Sequence, residues 1–147
     1  MTNSEPLPVP TSDECTLALL AHVLQMIAWF IAPLIIFLMR RQSRFVAFHA
    51  LQALIWQAIF IGFGMLIMVG SFVEVVLTAL HPSATAHTNA SSPPAALFIF
   101  FPLMWLFWMG GWVVNIVLAI VYGLKSSRGE WAEYPVIGRL ARRLAHV

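Results

Sequence analysis

Six polar side chains stand where this otherwise apolar sequence could do chemistry: Glu74, Asn115, His22, Gln25, His49 and Gln52. Glu74 is the one acidic residue within the long apolar stretches. A carboxyl placed there is costly, so it reads as a candidate for proton or ion handling. The competing reading is structural. Glu74 lies about one turn from the end of its stretch, in a stripe with Ser71, Thr78 and His81, and could reach interfacial water or form a hydrogen bond. Contacts with His22 or Gln25 are open to it if the first apolar stretch runs antiparallel. Asn115 belongs to a series, Gly111, Asn115, Ala119 and Gly123, at strict four-residue spacing. Small residues so spaced let a second helix backbone approach, and the amide can bond across the contact. Ala58 and Gly62 form a shorter pair of the same kind.

His22-Val-Leu-Gln25 with Trp29 recurs as His49-Ala-Leu-Gln52 with Trp56. Each copy puts His, Gln and Trp on one helical face. In a three-span arrangement the copies run in opposite directions, as inverted repeats do in transporters. The match is short in a biased composition, and we read it as coincidence. The two histidines then lie near opposite surfaces, which disfavours a shared metal. His81 and His87 fall in a loop without further ligands. Cys15 is the single cysteine, which excludes an intrachain disulfide and a cysteine-clustered metal site. No phosphate loop, metal-ligand spacing or nucleophile–base set occurs. The expectation is a chain without catalytic residues, cofactor, metal or nucleic-acid partner.

The elements that must position these groups follow from composition. Of 147 residues, 61% are hydrophobic and 10% charged, far below the ~25% charged of a soluble domain. An all-α integral membrane protein is expected. A span needs ~20 apolar residues, which predicts spans at about 16–39, 54–77 and 97–124, with an outer loop at 81–96. Phe45–Ala53 would be a helical lead-in at the interface, with continuity into the second span left open. Thr11 and Glu14 have capping-box spacing at the start of the first span. Residues 1–14 read as a disordered extracytoplasmic tail, 15–128 as the membrane domain and 129–147 as a cytoplasmic interfacial segment. Asn89-Ala90-Ser91 matches a glycosylation sequon, a weak signal.

Charge predicts orientation. All eight Lys and Arg lie in two places: Arg40, Arg41 and Arg44, then Lys125, Arg128, Arg139, Arg142 and Arg143. Three spans put both clusters on one side, which the positive-inside rule makes cytoplasmic. The N-terminus is then outside and the C-terminus inside. A two-span chain would, on this reading, separate the clusters. After Gly129 a helix beginning at Pro135 would show Val136, Ile137, Leu140 and Leu144 on one face and Arg139, Arg142, Arg143 and His146 on the other. Such a basic amphipathic helix suits an anionic inner leaflet, with Trp131 and Tyr134 as headgroup anchors. Glu130 or Glu133 could meet Arg40, Arg41 or Arg44.

The residues Pro33-Leu34-Ile35, Arg40, Phe45-Val46, His49-Ala50-Leu51-Gln52-Ala53, Gly123, Arg128-Gly129-Glu130 and Tyr134-Pro135 resemble a widespread family of small bacterial membrane proteins of unknown function. That family is grouped by remote similarity with the Tic-type translocon subunit of the chloroplast inner envelope. The resemblance implies a helical protein of the bacterial inner membrane and no catalytic residue. The expected role is a non-enzymatic accessory, assembly or translocation-related subunit that packs against other membrane proteins. The alternative is an oligomeric small transporter or channel using Glu74, Asn115 and the histidines.

Overall fold

A computed structural model describes residues 9–80 and 95–145. The expectations for residues 1–8, most of the outer loop with His81, His87 and Asn89, and His146 lie outside them. Five helices and no strand occur among the described residues: α1 (Ser12–Ala28), α2 (Ile31–Arg40), α3 (Arg44–Leu80), α4 (Ala95–Ser127) and α5 (Gly138–Leu144). The described residues form two compact parts, one within residues 1–59 and 114–147 and one within residues 60–113.

In the first part, α1 opens with the expected capping box. The Thr11 hydroxyl accepts from the Glu14 backbone N–H at 3.3 Å, and the Glu14 carboxylate accepts from the Thr11 N–H at 2.8 Å. Order therefore begins inside the stretch assigned to a tail at 1–14. Ser43 Oγ donates to the same carboxylate at 2.6 Å. That hydrogen bond, with those from Thr11, holds the Glu14 carboxyl below its ordinary range. A lowered carboxyl stabilises the fold above the ordinary carboxylate range, and the contribution is lost as pH falls through the folded value. Thr11→Ala should cost about 1 kcal/mol, read as a lower midpoint of thermal unfolding in detergent. The difference from wild type should shrink on acidification.

The expected span at 16–39 is broken. Trp29 has φ +53°, outside the helical region, and α2 starts afresh with Leu34 N–H bonding to the Phe30 carbonyl at 3.0 Å. Pro33 is the cause. In a continuous helix its ring would clash with the carbonyl four residues earlier, that of Trp29. In the first turn of α2 its missing N–H costs nothing. The α1–α2 pair is therefore a hairpin, closed by the Glu14–Ser43 hydrogen bond at its open end. Ala21, Ile36, Val46 and Ala50 form its core against α3, flanked by Leu17, Leu24 and Phe37.

Pairs Glu14–Ser43, His22–His49 and Gln25–Gln57 ascend together along α1 and α3. The two helices thus run in the same direction. The His/Gln/Trp copies are parallel, not inverted, and the histidines are neighbours rather than residents of opposite surfaces. The Phe45–Ala53 segment is the opening of one continuous helix. Its Phe45, Val46, Phe48, Ala50 and Ala53 are buried in this part, not laid on an interface.

Helix α4 ends in a Schellman motif. Gly129, at φ +77°, donates to the Ser126 carbonyl, and Glu130 donates to that of Lys125. This turn sends residues 130–137 back across α1 and α3. A Cβ on Gly129 would lie 3.1 Å from Pro10. The start of α1, the start of α3 and the end of α4 therefore share one end of this part. An N-terminus on the far side required an unbroken first span. The two basic clusters share an end because α3 leaves it and α4 returns to it, so two long helices keep them together.

In residues 60–113, Phe60 stacks on Phe107 with centroids 5.5 Å apart and meets Trp108 edge-on at 5.2 Å. Among the described residues, two helices are long and apolar enough to cross a membrane, Arg44–Leu77 and Phe100–Ser127. Large apolar side chains such as Leu66, Phe72, Trp105 and Leu106 are more than half exposed on them. Water would not tolerate such a surface.

Candidate buried polar site

The first part encloses a chain of polar groups. His22, Gln25, His49 and Gln52 are fully buried, and Gln57, Asn115 and Tyr134 nearly so. Small neighbours on α1, Ala18 and Ala21, and Gly123 on α4 bring the backbones close: a Cβ at Gly123 would meet Leu19 at 3.0 Å and His22 at 3.7 Å. Into this space the return segment inserts Tyr134.

The Tyr134 hydroxyl lies 2.9 Å from His22 Nδ1 and accepts from Gln25 Nε2 at 3.2 Å. His22 Nε2 lies 3.0 Å from His49 Nδ1, and His49 Nε2 lies 3.1 Å from the Glu130 carbonyl oxygen. Gln52 clasps the same segment twice. Its Nε2 donates to the Ala132 carbonyl at 3.0 Å, and its Oε1 accepts from the Tyr134 N–H at 2.5 Å. Deeper along α3, Gln57 Nε2 donates to the Gln25 carbonyl at 3.1 Å, and Trp56 Nε1 donates to Asn115 Oδ1 at 3.1 Å.

The geometry fixes the tautomers. A carbonyl only accepts, so His49 Nε2 carries a proton. With neutral rings His49 Nδ1 accepts, His22 Nε2 donates, and His22 Nδ1 accepts from the phenol. Burial pushes the Tyr134 phenol above its ordinary range, partly offset by the Gln25 hydrogen bond, so it remains an O–H donor. The hydrogen bonds then run in one direction from Gln25 through Tyr134, His22 and His49 to Glu130. Gln25 Oε1 is left without a partner.

Tyr134 is thus a buried link, not a headgroup anchor. Trp131 packs edge-on against Phe45 at 5.1 Å and beside Phe48 at 5.6 Å. The C-terminal face is also rearranged. Val136 takes φ +71° and is 96% exposed, while Ile137, Gly138 and Ala141 form the buried side. Leu140 and Leu144 are about half exposed on α5, but Val136 lies outside the helix and Ile137 is buried, so the four expected residues do not share one face. Pro135 opens a turn over residues 135–137, and α5 starts only at Gly138. Glu133 pairs with Arg142 at 2.7 Å rather than with Arg40, Arg41 or Arg44, and the Arg142 guanidinium sits over the Phe48 ring. Arg139 and Arg143 are exposed.

The α4 series falls as follows. Gly111 meets Phe60 within residues 60–113. In the other part Asn115 bonds Trp56, Ala119 is fully buried, and Gly123 faces α1. Ala58 and Gly62 are exposed, with nothing near Gly62. The close approach on α3 is at Gly64, where a Cβ would lie 2.7 Å from the Trp108 ring. Glu74 is exposed on α3 within residues 60–113, outside the polar cluster. Gln57 and the convergence of both His/Gln pairs on Tyr134 were missed in the sequence. The repeated spacing was the available signal.

Residues 13–141 match the magnetosome magnetite crystal formation protein family, MamF/MmsF. The chain belongs to that family. The match covers all but the first residue of the hairpin, both long helices, the whole return segment and the start of α5 of this MamF/MmsF chain. It agrees with a small bacterial family and gives no support to a translocon likeness. Comparisons with curated proteins and with solved structures returned no match. Among the described residues of this MamF/MmsF protein, no three His, Cys, Asp or Glu side chains converge as metal ligands.

Proposed function

We propose that this chain is a non-enzymatic membrane protein that acts in magnetite crystal formation as an accessory or assembly component. The family match over residues 13–141 carries the reading. The two long apolar helices support a membrane location. The polar cluster supports a structural rather than catalytic use of the buried side chains, since its hydrogen bonds join α1, α3, α4 and the return segment to one another. Deleting the gene in a magnetite-forming cell should change the size or number of crystals seen by electron microscopy. Unchanged crystals would overturn the assignment.

The hairpin carries a proposal about topology. Helix α2 has 10 residues, about 15 Å, too short for a ~30 Å core. The α1–α2 pair enters and leaves the same cytoplasmic face, α3 and α4 cross, and both termini lie inside. Exposed Arg40, Arg41, Arg44, Arg128, Arg139 and Arg143 then meet an anionic inner leaflet. Other membrane proteins pack on the exposed apolar faces of α3 and α4. In a Cys15→Ser background, Val9→Cys and Arg128→Cys should both react with a membrane-impermeant thiol reagent only from the cytoplasmic side. Labelling of Val9→Cys from outside would restore three spans.

A further inference from the structure

We infer that the Tyr134–His22–His49 chain is a proton-binding site that takes up a single proton by reversing its hydrogen bonds, with Gln25 as the group that lets it do so. In the neutral state Tyr134 donates to His22 Nδ1, His22 Nε2–H donates to His49 Nδ1, and His49 Nε2–H donates to the Glu130 carbonyl. Three protons lie on the chain. A proton arriving at the Tyr134 oxygen displaces the phenol proton onto His22 Nδ1. His22 then releases its Nε2 proton to His49 Nδ1. Four protons now lie on the chain and the added charge rests on His49, both of whose N–H groups have acceptors. His22 ends neutral, its Nδ1–H donating to the Tyr134 oxygen.

The reversed state needs one more acceptor, for the new Tyr134 O–H. The structure supplies it. Gln25 is fully buried, its Nε2 already reaches the Tyr134 oxygen at 3.2 Å, and its Oε1 is without a partner. Rotation of the amide by half a turn presents that oxygen to the phenol. A buried unpaired carbonyl is unfavourable in a purely structural network; here it is the acceptor for the second state.

The surroundings leave the cation to the chain itself. From α1 and α3 the facing titratable groups are His22 and His49. From α4 the Tyr122 ring centroid lies 6.4 Å from that of His22, and the Lys125 ammonium lies over the Tyr122 ring, 5.7 Å from its centroid. The return segment offers Tyr134 and the Glu130 backbone. From α5 Arg142 sits over Phe48 and is paired with Glu133, and α2 faces the hairpin core with Pro33 and Ile36. No carboxylate hydrogen-bonds either ring among the described residues. Uptake of a second proton would set two N–H groups against each other across the 3.0 Å His22–His49 contact, so the site holds one.

The test is nitrogen-15 NMR of histidine-labelled full-length protein in lipid vesicles, with the two rings assigned through His22→Gln and His49→Gln. At about pH 8 both rings should be Nε2–H tautomers. On acidification His22 should change to the Nδ1–H tautomer in the same step in which His49 becomes doubly protonated. Tyr134→Phe and Gln25→Met should each weaken this proton affinity about tenfold or more, because in the charged state each leaves a buried donor without an acceptor, the His22 Nδ1–H or the Tyr134 O–H, whereas in the neutral state the same atom is left only with an unfilled lone pair. An Nδ1–H tautomer on either ring at pH 8, independent titration of the rings, a cationic His22, no change down to about pH 4, or unaltered affinity in both variants would overturn the inference. The wild-type spectra alone decide it if the variants do not fold.

Discussion

Gln52→Leu should release the return segment from α3 and destabilise the protein by about 2–6 kcal/mol. The substitution keeps an apolar side chain of similar size but removes both ends of the clasp. The buried Tyr134 N–H loses its acceptor and the Ala132 carbonyl loses its donor. Each buried group left unpaired costs about 1–3 kcal/mol, and no water replaces the amide in a fully enclosed position. Once Tyr134 moves, His22 Nδ1 and Gln25 Nε2 lose their partner as well. Limited proteolysis should therefore cut between Gly129 and Gly138 in the variant and spare wild type, and the thermal midpoint in detergent should fall. Gln42→Leu, an exposed glutamine two residues before α3, is the matched control and should change neither. Equal cleavage of Gln52→Leu and wild type would show that the segment is held by its apolar contacts alone, chiefly Trp131 on Phe45 and Phe48 and Ile137 beneath α5.

What could be read from the sequence depended on whether the deciding interaction was local. The capping box at Thr11 and Glu14 lies within four residues, and it formed as read. The helical character of α3 and α4 follows from long apolar runs, and the basic clusters mark the end they share. The break at Trp29 was also local, but composition concealed it. Apolar content reports what a segment buries, not whether its backbone is continuous, and Pro33 was read as a motif residue instead of as a steric clash with the Trp29 carbonyl. That one omission reversed the direction of one His/Gln copy, so two adjacent histidines were placed on opposite surfaces. Tyr134 was misplaced for a different reason. An aromatic residue following a basic stretch commonly sits at a membrane interface. Its burial here depends on the left-handed turn at Gly129 and on acceptors and donors supplied by α1 and α3, residues more than eighty positions away. Likewise the small-residue spacing found Gly62, whereas the packed glycine is Gly64, because the choice of face is made by Trp108 on another helix.

The same dependence on a facing ring gives the second large expected effect. Gly111→Ala should destabilise the protein by about 1–3 kcal/mol, while Gly110→Ala should leave it unchanged or raise its stability by up to about 1 kcal/mol. The glycines are adjacent on α4 and the added methyl is identical, so helix propensity cannot separate them. Their surroundings do. A Cβ at Gly111 would overlap Cε2 of Phe60 and lie 2.8 Å from its Cζ, whereas nothing lies within 4 Å of one at Gly110. Phe60 cannot simply swing away: one face is stacked on Phe107 and its edge is set against Trp108. Relief therefore requires the helices to part over residues 60–113, with loss of ring contacts on both sides. Phe60→Leu would test the cause. A smaller, more flexible side chain should recover much of the Gly111→Ala loss in the double variant, giving a coupling energy a thermodynamic cycle can resolve. Thermal unfolding of the four variants in one detergent is the measurement. Equal midpoints for Gly110→Ala and Gly111→Ala would mean that α3 and α4 do not meet at Phe60, and the packing of residues 60–113 described above would be wrong.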